Sequence, residues 1–139
     1  MKKRAPISKI MTTEVITLSH KEELETAELL FKKHHIRHIP VVNNDKIVGM
    51  LSYTDLLRIS FADAVDEDEQ NIESVVYNMF TIEQVMTKNL VSVSSDTTIK
   101  EVAELLAKKE FHALPVVDGD KLVGIVTTTD LINYLLEQY

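Results

Sequence analysis

Two short runs carry residue types that chemistry can use. Ser52-Tyr53-Thr54-Asp55 and Thr127-Thr128-Thr129-Asp130 each set a hydroxyl three residues before a carboxylate, just after an apolar run holding Gly49 or Gly124. A Ser/Thr-x-x-Asp run is a capping box, satisfying free backbone N–H groups where a helix starts. The same geometry has a second use. A helix start offers N–H groups and hydroxyls to a phosphate, and a carboxylate there accepts hydrogen bonds from neighbouring hydroxyls. The two uses are compatible. Phosphate also calls for a cation, and the candidates are Arg37 and His38 ahead of Pro40, and His112 ahead of Pro115, where Ala113 takes the place of His38. Arg clamps phosphate with two hydrogen bonds, whereas His adds charge only when protonated. The plainer reading of all three is an exposed base at a strand edge.

Other chemistry finds less support. His34 and His38 stand four apart, the spacing of two ligands on one helix face. Residues ahead of Pro40 lead into a strand, because a residue before proline avoids the α region, so no metal site is expected. Asp66-Glu67-Asp68-Glu69 lacks the glycine turn and spaced ligands of a calcium loop and reads as a solvated linker. No nucleophile elbow, P-loop or long glycine-rich dinucleotide loop is present. With no Cys among 139 residues, disulfides, thiolate metal sites and a Cys nucleophile are excluded. The expectation is a protein that is not an enzyme.

The elements that must position these residues come in two copies. Shifted by 75 residues, the chain aligns with itself without a gap, residues 7–59 over 82–134, with sixteen identities. Met11-Thr12 meets Met86-Thr87, Pro40-Val41-Val42 meets Pro115-Val116-Val117, and Thr54-Asp55-Leu56 meets Thr129-Asp130-Leu131. Each copy opens with a short helical turn (residues 8–11; 82–86) and a β-rich run (15–18; 90–93). A helix follows over 22–34 and 97–109, with Leu24, Ala27, Leu30 and Phe31, or Ile99, Val102, Leu105 and Leu106, at helical spacing. Ser19 with Glu22 is expected to box the first of these starts. Two apolar runs around Asn43-Asn44-Asp45, or Asp118-Gly119-Asp120, read as a β-hairpin, and a last helix begins near Thr54 or Thr129. The fold class is α+β, two β-α-β-β-α repeats. Near-continuous Val/Ile/Leu strands suggest burial on both faces. A unit of about fifty residues buries little surface alone, so the copies are expected to pack through their sheets.

Charge follows the same plan. The net charge is −7, and residues 61–80 alone hold six acids and no Lys or Arg. These residues read as an acidic connector between domains at 7–60 and 81–139, with a short helix over 72–77. Nucleic-acid binding needs a basic surface that this composition does not offer. No apolar run approaches the ~18 residues of a membrane span, and the basic start lacks the apolar stretch of a signal peptide. The expected compartment is the cytoplasm.

At this point the chain resembles a known family, the cystathionine-β-synthase or CBS domains, of which a tandem pair forms a Bateman module. Three motifs carry the resemblance in each copy: Ile10-Met11-Thr12 or Val85-Met86-Thr87; the run to Pro-Val-Val over 36–42 or 111–117; and the Gly-x-x-Ser/Thr-x-x-Asp run over 49–55 or 124–130. The resemblance implies two domains paired by pseudo-twofold symmetry, with clefts between them. It implies binding of an adenosine-containing ligand such as AMP, ADP, ATP, S-adenosylmethionine or NAD(H), sometimes of a cyclic dinucleotide or Mg2+. It further implies homodimers and regulation of a separate protein.

Carried over by residue, Asp55 and Asp130 would hold ribose. Ser52, Thr54, Thr127, Thr129, Arg37, His38 and His112 would serve phosphate. The adenine slot would be lined by Ile16, Val91, Ile36, Phe111, Met50 and Ile125, each of which reads equally as plain core. In the family, bases before the proline of one domain face the ribose Asp of the other. That pairs Asp130 with Arg37 and His38, and Asp55 with His112 alone, making Asp130 the expected better phosphate end. The rival expectation is a ligand-independent dimeric scaffold that docks to an enzyme or transporter. A third is magnesium-linked regulation through the acidic connector.

Overall fold

A computed structural model describes residues 4–63, 79–109 and 112–139. Phe111, most of the expected acidic connector and the helix expected over 72–77 lie outside the described residues. The chain divides into two compact units, one of residues 16–90 and one of 1–15 with 91–139.

The 16–90 unit holds strands β1 (Leu18–Ser19), β2 (His38–Asn43) and β3 (Lys46–Ser52), and helices α1 (Leu24–His34), α2 (Tyr53–Asp63) and α3 (Ile82–Val85). β1 runs parallel to β2, with Leu18 opposite Val41, and β2 and β3 form an antiparallel hairpin from His38–Ser52 to Asn43–Lys46. Asn44 makes the tight turn in the left-handed region, φ 58°, which Asn tolerates better than most side chains. Leu24, Ala27 and Phe31, at helical spacing, bury one face of α1 against Ile39, Val41, Leu51 and Leu56. Ile82 and Met86 complete this core. His35 ends α1 at φ 54°, so His34 and His38 do not share a helix face.

The second unit holds a 3-10 turn (Ile7–Lys9), helix α4 (Ile99–Lys108), strands β4 (Ala113–Asp118) and β5 (Lys121–Thr127), and helix α5 (Thr128–Glu137). Its hairpin repeats the first residue for residue, with Ala113 opposite Thr127 and Asp118 opposite Lys121, and Gly119 at φ 64° in the place of Asn44. The core gathers Ile99, Val102, Leu106, Leu114, Val116 and Val126 around Ile7. Backbone bonds from Ile7 N to Thr97 O (2.7 Å) and from Ile99 N to Ala5 O (2.9 Å) fasten the chain start here.

The sequence repeats and the compact units are therefore different sets of residues. The turn that opens repeat one packs in the core built from repeat two, and Ile82, which opens repeat two, packs in the core built from repeat one. In the central strands three consecutive residues are buried, Ile39-Pro40-Val41 and Leu114-Pro115-Val116, so both faces are covered.

Two local expectations need correcting. The β-rich runs at 15–18 and 90–93 form little strand: Leu18 alone of the first lies in β1, and Val93 of the second makes one bridge to Val116. β-branched residues favour extended backbone, but a strand also needs a partner within hydrogen-bond reach. The long helices start two residues late, at Leu24 and Ile99. Turns precede them: Glu22 N donates to Ser19 O and Thr97 N to Ser94 O. The Ser19–Glu22 bonds thus close a turn and do not cap the helix. Glu23 is the N-cap of α1, without a side-chain bond, and Thr98 caps α4 by accepting from Glu101 N at 3.1 Å.

Candidate functional site

In the 16–90 unit, the hairpin and α2 set the candidate residues. Ser52 ends β3 opposite His38, and Tyr53 N donates to Arg37 O (2.9 Å), so the backbone of Arg37 lies beside the first residue of α2. Asp55 N donates to Ser52 Oγ (3.1 Å) and Ser52 N to Asp55 Oδ2 (3.3 Å), a complete capping box. The other carboxylate oxygen, Oδ1, lies 3.8 Å from Arg58 Nη1. Asp55 is half-buried, whereas Thr54 and Arg37 are exposed and His38 is intermediate. Met50 is buried and exchanges two backbone bonds with Thr87; Ile16 and Ile36 are intermediate, and Ile36 packs against the core.

The second unit builds the same corner. Thr128 N donates to His112 O (3.1 Å), Asp130 N to Thr127 Oγ1 (3.3 Å), and Thr127 N to Asp130 Oδ2 (2.9 Å). Here Thr12 meets the second oxygen: its Oγ1 donates to Asp130 Oδ1 at 3.4 Å. Thr12 is held by two backbone bonds with Ile125, while the Met11 side chain lies over Gly124. A Cβ at Gly124 would come 2.7 Å from Met11 Sδ and 3.0 Å from Thr12 O. His112 and Thr129 are exposed, Ile125 is buried, and Val91 is exposed.

Both Ser/Thr-x-x-Asp runs are thus genuine caps. Each cap engages Oδ2, and Oδ1 faces a separate partner at the surface. The structure brings Ser52 to Asp55 and Thr127 to Asp130, with the backbones of Arg37 and His112 beside the same helix starts. Thr12 and Arg58 were not among the residues expected at the sites. The Met-Thr dipeptide was visible as a repeated motif, yet nothing local tied Thr12 to Asp130.

Away from these corners, Asp118 accepts from Ser95 N (3.0 Å) and Ser95 Oγ (2.7 Å). The backbone bond, then the hydroxyl bond, holds its carboxyl below the usual carboxylate range. Among the described residues no helix is long and apolar enough to cross a membrane.

Two repeats of one hairpin-and-capped-helix corner define a class, and comparison with known proteins agrees. The CBS domain family matches residues 7–62 and 82–137, and the chain belongs to that family. It is 31% identical over 121 residues to the CBS domain-containing protein YhcV of Bacillus subtilis, covering 87% of this chain and 79% of that protein. A structure described as a putative acetoin utilization protein, AcuB, from Vibrio cholerae matches with a TM-score of 0.79 at 30% identity, over 96% of this chain and 91% of the other. The CBS domain pair of protein MJ0100, solved with 5′-methylthioadenosine and S-adenosyl-L-methionine, matches with a TM-score of 0.78 at 26% identity, over 97% and 98%. The chain also matches a homoserine O-acetyltransferase of Methanohalobium evestigatum at 31% identity, spanning 96% of this chain but 24% of that enzyme. There the likeness covers a CBS pair's length within a longer protein.

Proposed function

We propose that this chain is a regulatory module that binds an adenosine-containing ligand and signals to a separate protein. The observation that carries the reading is the pair of equivalent corners in which Asp55 and Asp130 keep Oδ1 outside the cap. In this reading each carboxylate accepts from ribose hydroxyls. Ser52, Thr54, Thr127, Thr129, Arg37, His38 and His112 serve phosphate, and Ile16, Val91, Ile36, Phe111, Met50 and Ile125 receive adenine. The likeness to a CBS pair solved with two adenosine ligands supports the ligand class. Ligand acts by population shift, favouring one arrangement that a partner recognises, and the chain itself catalyses nothing. A cytoplasmic compartment and a role for Mg2+ belong to the same reading.

A second copy is the proposed neighbour of α5. Ile132, Leu135, Leu136 and Tyr139 follow one another at helical spacing and are all exposed, an apolar stripe that a homodimer would cover.

Thermal melts with AMP, ADP, ATP, S-adenosylmethionine, NADH and cyclic di-AMP, with and without Mg2+, test the reading. A ligand binding only the folded state at 100 times its Kd adds about 2.7 kcal/mol. No shift with any of them at millimolar concentration would leave the rival, a ligand-independent dimeric scaffold.

A further inference from the structure

The two capped carboxylates differ in what meets the second oxygen. Asp130 Oδ1 accepts from the neutral Thr12 hydroxyl at 3.4 Å, whereas Asp55 Oδ1 lies 3.8 Å from the Arg58 guanidinium. Position 133, which the repeat equates with Arg58, is an exposed Asn. One candidate ribose acceptor therefore has a permanent cation one helical turn away, and its counterpart has a neutral amide there.

Resting on the reading of Asp55 as a ribose acceptor, we propose that Arg58 is a specificity-determining residue for the Asp55 end. It selects adenosine ligands with an anionic 5′ group over those with a neutral thioether or a cationic sulfonium. The Arg58 side chain is 75% exposed, so water screens its pull on Asp55 and the pair holds it weakly. Ribose hydroxyls that donate to Asp55 take over the cation's role as partner and free the guanidinium. The freed group stays within a Debye length, about 10 Å at 0.1 M salt, of what that ribose carries. A 5′-phosphate brings close to two negative charges at neutral pH and matches the guanidinium fork. It would otherwise be repelled by Asp55. A 5′-methylthio group has no charge to gain from Arg58, and a sulfonium is repelled by it. Arg37, His38 and His112 stay constant when Arg58 alone is changed, so a change in selectivity reports Arg58.

The test uses the Asp130→Ala protein, so that binding reports the Asp55 end. AMP, 5′-methylthioadenosine and S-adenosylmethionine are titrated by calorimetry at low and high salt. Arg58→Ala is expected to weaken AMP about two- to fivefold, the range of an exposed charge contact. It should leave 5′-methylthioadenosine unchanged and flatten the salt dependence of AMP, and Arg58→Lys should restore most of the loss. Equal weakening of AMP and 5′-methylthioadenosine, or unchanged AMP binding, overturns the assignment to Arg58 while the ribose reading stands. If adding Asp55→Ala leaves all three affinities unchanged, or none of the three binds the Asp130→Ala protein, the reading of Asp55 as a ribose acceptor fails and Arg58 falls with it. Melting curves of each variant confirm that the fold is retained.

Discussion

Thr12 and Asp130 stand 118 residues apart in the chain, yet the Thr12 hydroxyl donates to Asp130 Oδ1 at 3.4 Å. The opening motif of repeat one thereby meets the last acidic motif of repeat two inside a single compact unit. A long, exposed hydrogen bond of this kind contributes at most about 1 kcal/mol. Thr12→Val should therefore melt close to the parent. Asp130→Ala should cost more, about 1 kcal/mol, because it opens the capping box of α5. Asp130→Asn should recover that stability without recovering a ligand-induced melting shift. Chemical denaturation of the three variants checks the order, and a Thr12→Val loss larger than that of Asp130→Ala would contradict it.

The exchange of opening turns has a direct energetic consequence. Ile7 and Ile82 are both fully buried. Truncation of such a side chain to Ala costs about 2–5 kcal/mol. Ile7→Ala should speed hydrogen exchange first in α4 and β4, and Ile82→Ala first in α1 and β2. Loosening instead of the helix that follows each residue within its own repeat would contradict this core membership.

Glycine at 124 is required by close approach. A Cβ there meets both the Met11 thioether and the Thr12 carbonyl, and the backbone oxygen at 3.0 Å cannot swing aside as a side chain does. Gly124→Ala should destabilise by about 1–3 kcal/mol. At Gly49 the three nearest atoms all belong to the flexible Met86 side chain, whose Cγ would lie 2.8 Å away. Met86→Ala should therefore relieve Gly49→Ala, whereas Met11→Ala should only partly relieve Gly124→Ala. Double-mutant cycles measure the difference.

Asp118 gives one acid-side prediction. Its carboxyl is held below its ordinary value of 3.8 by the Ser95 backbone and hydroxyl bonds. A depressed carboxylate contributes stability that is present above the unfolded value and lost as pH falls through the folded one. Asp118→Asn should thus flatten the stability profile below about pH 4 and leave the neutral region comparatively unchanged. A variant profile parallel to the parent's through that window would exclude the linkage.

Local features were the readable part. Leu24, Ala27 and Phe31 bury at the spacing that names a helix face. Asn44 and Gly119 turn the two hairpins where the polar breaks fall. Ser52 and Thr127 cap as their spacing to Asp55 and Asp130 requires. Each of these depends on residues within a turn or two of one another. The start of α1 differs from the expectation because only half of a capping box forms at Ser19: Glu22 Oε2 accepts from Ser19 N, but Glu22 N donates to the Ser19 carbonyl and the Ser19 hydroxyl accepts from Lys21 N, the bonds of a turn.

By itself, the sequence determined the repeat, the element order, the capped corners and membership of the CBS family, because identical local patterns impose identical local backbone. Tertiary structure alone decided which core each opening turn enters and that Thr12 reaches Asp130. Both join residues far apart in the chain, where packing sets the partner, whereas Asp55 and Arg58 are neighbours three residues apart on α2 and meet wherever that helix forms.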